Sequence, residues 1–119
     1  MNNTEVVNTA SKYIVKSTGI GSEDDQKMVE PSKGVYGVEK LASGDTDSLV
    51  SLIECYYLIE GTGTLKISTD SESTDLSLTG KGKYGLRPGQ LKFGNDKIFT
   101  LTTDSNVTSY LLVTEFRRN

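Results

Sequence analysis

The sequence predicts an all-β protein, an antiparallel sandwich or barrel. Three observations predict it. Short β-branched and aromatic segments, about seven to nine of them, are separated by turn residues roughly every 6 to 12 positions. Ser and Thr are abundant and favour strands and turns over helices. There is no heptad pattern, internal repeat or low-complexity tract to suggest anything else. At 119 residues the chain is long enough for one buried core and too short for two.

Taken in order, Met1–Ser11 is polar apart from Val6-Val7 and predicts an extended, mobile arm. Residues 12–119 form the single sandwich domain. Lys12–Thr18, "KYIVKST", reads as the first strand and is broken by Gly19-Ile20-Gly21. Ser22 caps a possible short helical turn with acids behind it, which Pro31 ends. Ser32–Asp47 is rich in glycine and charge, a loop with room for one short strand at Val35–Val38. Ser48–Glu60, "SLVSLIECYYLIE", is the strongest segment. Val50, Leu52, Glu54, Tyr56 and Leu58 alternate with Leu49, Ser51, Ile53, Cys55, Tyr57 and Ile59. Both sets are largely apolar, which predicts a central strand covered on both faces. Gly61-Thr62-Gly63 then reverses the chain. Thr64–Thr69 and Thr74–Thr79 alternate around a turn at Asp70–Ser73, with Leu65, Ile67, Leu76 and Leu78 inward. Gly80-Lys81-Gly82 breaks the pattern, Pro88-Gly89 suits a type II turn, and Gly94-Asn95-Asp96 is a further turn. Lys97–Thr103 and Val107–Phe116 are the last strands.

Charge and composition exclude several functions. Thirteen basic against sixteen acidic residues leave a net charge of −3, without the basic footprint of a nucleic-acid binder. Arg117-Arg118 reads as a solubilising end. No apolar stretch approaches the ~18 residues of a membrane helix, and the first residues lack the pattern of a signal peptide. The single cysteine, Cys55, lies in an apolar run and reads as a small buried hydrophobe. The chain has no histidine, so the commonest metal ligand and the commonest general base at neutral pH are missing.

The stretch "YYLIEGTGTL", with Glu54 followed after six residues by Gly61, resembles the first conserved segment of the cupin superfamily. "YGLRPGQLKF" resembles the second, and the likeness spans roughly Ser48–Phe116. It implies a jelly-roll barrel. The chain departs from the family where metal would bind: Ser48 and Val50, or Asp47 and Leu49, stand at the histidine positions of the first motif, and Lys92 near that of the second. Glu54 alone makes no metal site, and its ordinary reading is a strand carboxylate paired with a cation. Metal-free barrels of this shape include sugar-nucleotide epimerases, whose histidine base has no counterpart here. Tyr56 and Tyr57 read as fillers of the two strand faces.

Other constellations are weaker. The acidic groups Glu23-Asp24-Asp25 and Asp45-Thr46-Asp47 lack the ligand spacing of a calcium loop. Gly80-Lys81-Gly82-Lys83 lacks the strand-to-helix setting of a phosphate loop. No residue is therefore assigned a catalytic, cofactor-binding or metal-ligating role, and no cofactor is expected.

The words "SKYIVKSTGIGSEDDQKMVEPS" and "SLIECYYLIEGTGTLKI" resemble small virion accessory proteins of tailed bacteriophages, such as capsid decoration or cement proteins. That resemblance implies a non-enzymatic structural protein of the virion, assembled in the host cytoplasm. Its partners would be the major capsid protein or neighbouring copies, as a homo-oligomer, with no nucleic acid or membrane. The alternative is a metal-free, cupin-like sugar-binding protein or isomerase, with Glu54, Tyr56, Lys66 and Lys92 lining one cavity at the barrel mouth.

Overall fold

The computed structural model describes residues 2–8, 12–29, 49–85, 92–96 and 98–118, and among these every regular element is a strand. In chain order the strands are β1 (Asn2–Asn8), β2 (Lys12–Ile20), β3 (Glu23–Val29), β4 (Val50–Gly61), β5 (Leu65–Ser68), β6 (Leu76–Leu78), β7 (Lys81–Gly85), β8 (Phe93–Asp96), β9 (Phe99–Thr103) and β10 (Val107–Arg118). They form two antiparallel sheets. The larger runs β1-β2-β10-β4-β7, with β8 continuing beside β4, and the smaller runs β3-β9-β5-β6.

The inward side chains of the two sheets make one core. The larger sheet supplies Val15, Leu52, Cys55, Ile59, Leu112 and Phe116 among others, and the smaller supplies Met28, Leu65, Ile67, Phe99 and Leu101. Phe99 meets Phe116 edge to face at 5.0 Å between ring centres and Phe93 at 6.4 Å. These rings join β9 to β10 across the two layers, where an aromatic pair adds about 1 kcal/mol to its area burial.

The long strand β4 departs from the expected pattern in an informative way. Glu115 of β10 stands opposite Glu54, but the next residue, Phe116, stands opposite Leu52. Ile53 is therefore an extra residue, a β-bulge that shifts the phase of the strand. Before it Val50 and Leu52 face the core; after it Cys55 and Ile59 do. The apparent apolarity of both faces came from reading a shifted strand as one unbroken alternation. The outer face is covered only in part: Glu54 is 7% exposed, but Tyr56 is 49% and Leu58 42%. A second shift lies in β10, where Val107 stands opposite Gly61 and Ser109 opposite Glu60.

The glycine turn after β4 does not fold β5 back onto it. β5 pairs with β6 and β9 in the other sheet, so residues 62–64 carry the chain from one layer to the other. The link between β9 and β10 does the same in reverse, and the two corners are bonded together. The Thr62 N–H donates to the Asn106 carbonyl (3.2 Å), the Asp104 N–H to the Thr64 carbonyl (3.2 Å), and the Thr64 N–H to Asp104 Oδ2 (2.9 Å). Gly63 allows the approach, since a Cβ there would lie 2.6 Å from the Val107 nitrogen.

Three further expectations change. Residues 23–29, expected as at most a helical turn, are strand β3: pairing with β9 and burial of Met28 outweigh the local cap signal. Residues 81–85 and 93–96 are strands rather than breaks, because both extend the open edge of β4. Asn2–Asn8, part of the expected arm, is paired along β2 from Asn2↔Thr18 to Asn8↔Tyr13. To this main-chain pairing the buried Ser17 adds a hydroxyl donated to Asn3 Oδ1 at 2.6 Å. The possible strand at 35–38 and the Pro88-Gly89 turn lie outside the described residues.

Gly85 holds the bulge in place. It stands opposite Glu54 on β7 with φ +97°, and a Cβ there would run into the Ile53 carbonyl oxygen. Gly80 also has positive φ, +65°, but open space around it. Gly85→Ala is expected to cost roughly 2–4 kcal/mol, from backbone strain plus the clash, and Gly80→Ala only about 1 kcal/mol. Urea unfolding midpoints measure both; equal losses at the two positions would contradict the bulge-locking role of Gly85.

Candidate functional site

After the bulge, the outward positions of β4 are Glu54, Tyr56, Leu58 and Glu60. Register places each of them in a row across the larger sheet. Leu58 lies beside Leu111, with Thr18 and Lys81 beyond on either side; Tyr56 lies beside Val113, with Lys16 and Lys83 beyond. Glu54 lies beside Glu115, with Ile14 and Gly85 beyond, and Glu60 beside Ser109, with Ile20 beyond. Leu111 and Val113 are half-buried, and Ile20 is 78% exposed. The centre of this face is thus apolar, and its margin carries the charges together with Ile14, Thr18, Ile20 and Ser109.

The outer face of the smaller sheet is its opposite. Lys66 lies between Ser77 and Thr102, and Ser68 beside Thr100. That is the ordinary surface of a sandwich, polar wherever it meets water.

Of the four residues expected to line one cavity, only Glu54 and Tyr56 come together. They lie on the outer side of the larger sheet rather than between the sheets; Tyr56 is half exposed there, whereas Glu54 is buried, 7% exposed. Lys66 is on the outer face of the smaller sheet, and Lys92 is exposed just ahead of β8. The bulge turns Glu54 and Tyr56 away from the core, and alternation with the inward Leu65 and Ile67 turns Lys66 outward on the other sheet. The group that joins them is Lys83, whose Nζ lies 3.4 Å from Glu54 Oε1 and 5.2 Å from the centre of the Tyr56 ring. Hydrogen bonding to Tyr56 is the largest influence holding the lysine's pKa above its usual value. The sequence hid Lys83 inside an apparent glycine-rich break.

Glu54 and Glu115 are neighbouring carboxylates, a placement that is repulsive unless compensated. Each has its own cation: Lys83 for Glu54, and Arg117 for Glu115, with Arg117 Nε donating to Glu115 Oε2 at 2.9 Å. Arg117 is therefore part of strand β10 and of this cluster rather than of a loose end.

Other candidates are occupied structurally. Glu23 accepts the Tyr110 hydroxyl across the sandwich. Burial, followed by the bond to Glu23, pushes the Tyr110 phenol well above its usual range. Asp24 is exposed on β3; the Asp25 side chain and Asp45–Asp47 lie outside what is described. Among the described residues no group of three or more Cys, Asp or Glu is placed to hold a metal. A cleft of about 190 Å³ is lined by Leu49, Asp70, Asp96 and Ile98, below the roughly 300 Å³ at which ligand pockets begin. Asp96 is tied into its wall by the Thr69 hydroxyl and by the Ser71 N–H at 2.7 Å. Burial raises its pKa, but these bonds outweigh that and leave it below the usual carboxylate value.

No protein-family model matches the chain, and searches of curated proteins and of solved structures return no match.

Cys55 is fully buried and its Sγ accepts the Thr114 hydroxyl at 3.5 Å. Burial pushes its thiol up to about 11 from 9.0. A folded-state pKa above the unfolded one gives stability that is complete below the unfolded value and lost as pH rises through the folded one. Unfolding free energy should therefore fall between pH 9 and about 11, with Tyr110 adding to the loss at the upper end. Urea titrations across this range should show a shallower fall for Cys55→Ala. Identical slopes in the two proteins would rule out the thiol as a source.

Proposed function

We propose that this chain is a non-enzymatic structural protein that works by protein–protein contacts, as an accessory component of a virion such as a capsid decoration or cement protein of a tailed phage. The observation that carries the reading is the contrast between the two outer faces. One is polar at the positions described on β5, β6 and β9: Lys66, Ser68, Ser77, Thr100 and Thr102. The other has an apolar centre of Tyr56, Leu58, Leu111 and Val113 inside a margin that carries the charges. An apolar core with a polar rim is the anatomy of a protein interface, and an exposed apolar patch on a small domain marks a contact site. The sandwich, read as jelly-roll-like, supplies a rigid block. Modest affinity per copy is sufficient where many copies act together. The major capsid protein and neighbouring copies are the partners of this reading.

A second reading, a metal-free sugar-binding protein or isomerase, draws on the meeting of Glu54, Tyr56 and Lys83. Tyr56 and Lys83 are exposed while Glu54 is buried beside them, and no enclosed pocket joins the three among the described residues. Glu54 is also already engaged by Lys83.

Two measurements separate the readings. Density-banded particles of the virus that encodes the chain should contain it at a fixed, multiple copy number by quantitative mass spectrometry; its absence would remove the virion role. Thermal-shift screening with sugars, nucleotide sugars and divalent cations should leave the melting temperature unchanged. A rise of several degrees with one of them would favour the binding protein instead.

A further inference from the structure

We infer that the occupant of the larger sheet's outer face is a second copy of the same face, packed across it with the strands of the two copies near right angles. The inference rests on the reading of this face as the contact surface and adds its partner. It is carried by where the charges stand around the apolar centre.

Four side chains make that centre, Leu58 beside Leu111 and Tyr56 beside Val113. Lysines flank it sideways: Lys16 on β2 at one side, Lys81 and Lys83 on β7 at the other. Carboxylates close it lengthwise: the exposed Glu60 at one end, and at the other Glu54 and Glu115, whose side chains are only 10% and 12% exposed. One side therefore carries one lysine and the other two, while one end carries one carboxylate and the other two.

Consider two such faces pressed together about a two-fold axis. If the axis runs along the strands, the β2 side of one copy lies over the β7 side of the other, lysine on lysine. If it runs across the strands in the plane of the sheet, Glu60 lies over Glu54 and Glu115, carboxylate on carboxylate. Both aligned arrangements are repulsive. An axis along the diagonal turns sides onto ends. One diagonal places Lys16 over Glu60 of the second copy, Lys81 over Glu115 and Lys83 over Glu54, each contact occurring twice by symmetry. The counts match, one lysine to one carboxylate and two to two.

The dimensions match as well. From β2 to β7 is three strand spacings, about 14 Å, and from Glu54 to Glu60 about 20 Å at the usual rise per residue. Half-width and half-length thus differ by only about 3 Å, which a lysine side chain spans. Near-orthogonal crossing is one of the two ways in which sheets pack face to face. Within one chain Lys83 and Arg117 already offset Glu54 and Glu115. The contact most dependent on the second copy is therefore Lys16 with Glu60, both exposed. In the single chain they stand two strands and two rows apart, so no bond within one copy can substitute.

Sedimentation equilibrium of the purified chain tests the inference. The wild type should show a reversible monomer–dimer equilibrium. Leu58→Asp should be monomeric throughout the same concentration range with unchanged circular dichroism. Lys16→Glu and Glu60→Lys should each weaken the dimer roughly tenfold or more, because like charges then meet across the interface. The double variant Lys16→Glu/Glu60→Lys should return to within a few-fold of wild type. A wild type that stays monomeric, or a double variant no tighter than its parents, would overturn the crossed dimer. A monomeric wild type still found at fixed copy number in banded particles would leave the contact-protein reading standing with a different partner.

Discussion

At Ile53 the inner strand β4 carries one residue more than its neighbour β10, and every later side chain changes side. The rest of the molecule depends on that shift. Without it Glu54 would point between the sheets, away from Lys83, and Cys55 and Ile59 would leave the core. As it stands Glu54 is buried on the outer side with the Lys83 ammonium 3.4 Å away, and an unpaired buried carboxylate costs several kcal/mol. With it the strand can begin in the core through Val50 and Leu52 and continue there through Cys55 and Ile59. Gly85 makes the shift possible, because only a residue without a side chain fits against the Ile53 carbonyl from the neighbouring strand.

The two corners at one end of the sandwich are the second constraint. The chain leaves the larger sheet after β4 and returns to it before β10, and the two crossings are joined through Thr62, Thr64, Asp104 and Asn106. The Asp104 carboxylate accepts backbone N–H groups from both sides, from Thr64 and Asn106, which hold its pKa below the usual carboxylate range. Together with the Phe99–Phe116 contact, this fixes the smaller sheet against the larger and so fixes which faces of both look outward.

Function then becomes a question about surfaces. Several of the described groups that could take part in chemistry are engaged in holding the fold. The lone thiol is buried, Glu23 braces Tyr110, and Asp96 ties a turn to β8. What remains unexplained by folding is the apolar centre of one outer face. A sheet that only had to stay dissolved would carry Ser, Thr and Lys there, as the smaller sheet does with Lys66, Ser77, Thr100 and Thr102. The proposed contact role accounts for the difference, and the distribution of lysines and carboxylates around the centre accounts for its partner.

The sequence by itself determined the all-β class, most of the strand positions and the buried state of Cys55. Those follow from local pattern: side chains alternate along a strand, and turn residues interrupt it. The inward sets of β5 and β6 were legible for the same reason. Which side of β4 faces water was decided only by the tertiary structure, because a bulge is defined by the partner strand and leaves no mark in the strand's own residues. The strand character of Glu23–Val29 and Lys81–Gly85 was decided there too, since each pairs with a segment distant in sequence or lies on an edge that local propensity cannot see. So was the meeting of Glu54, Tyr56 and Lys83. Side chains on neighbouring strands share a site only when the register brings them side by side, and register is a property of the folded sheet.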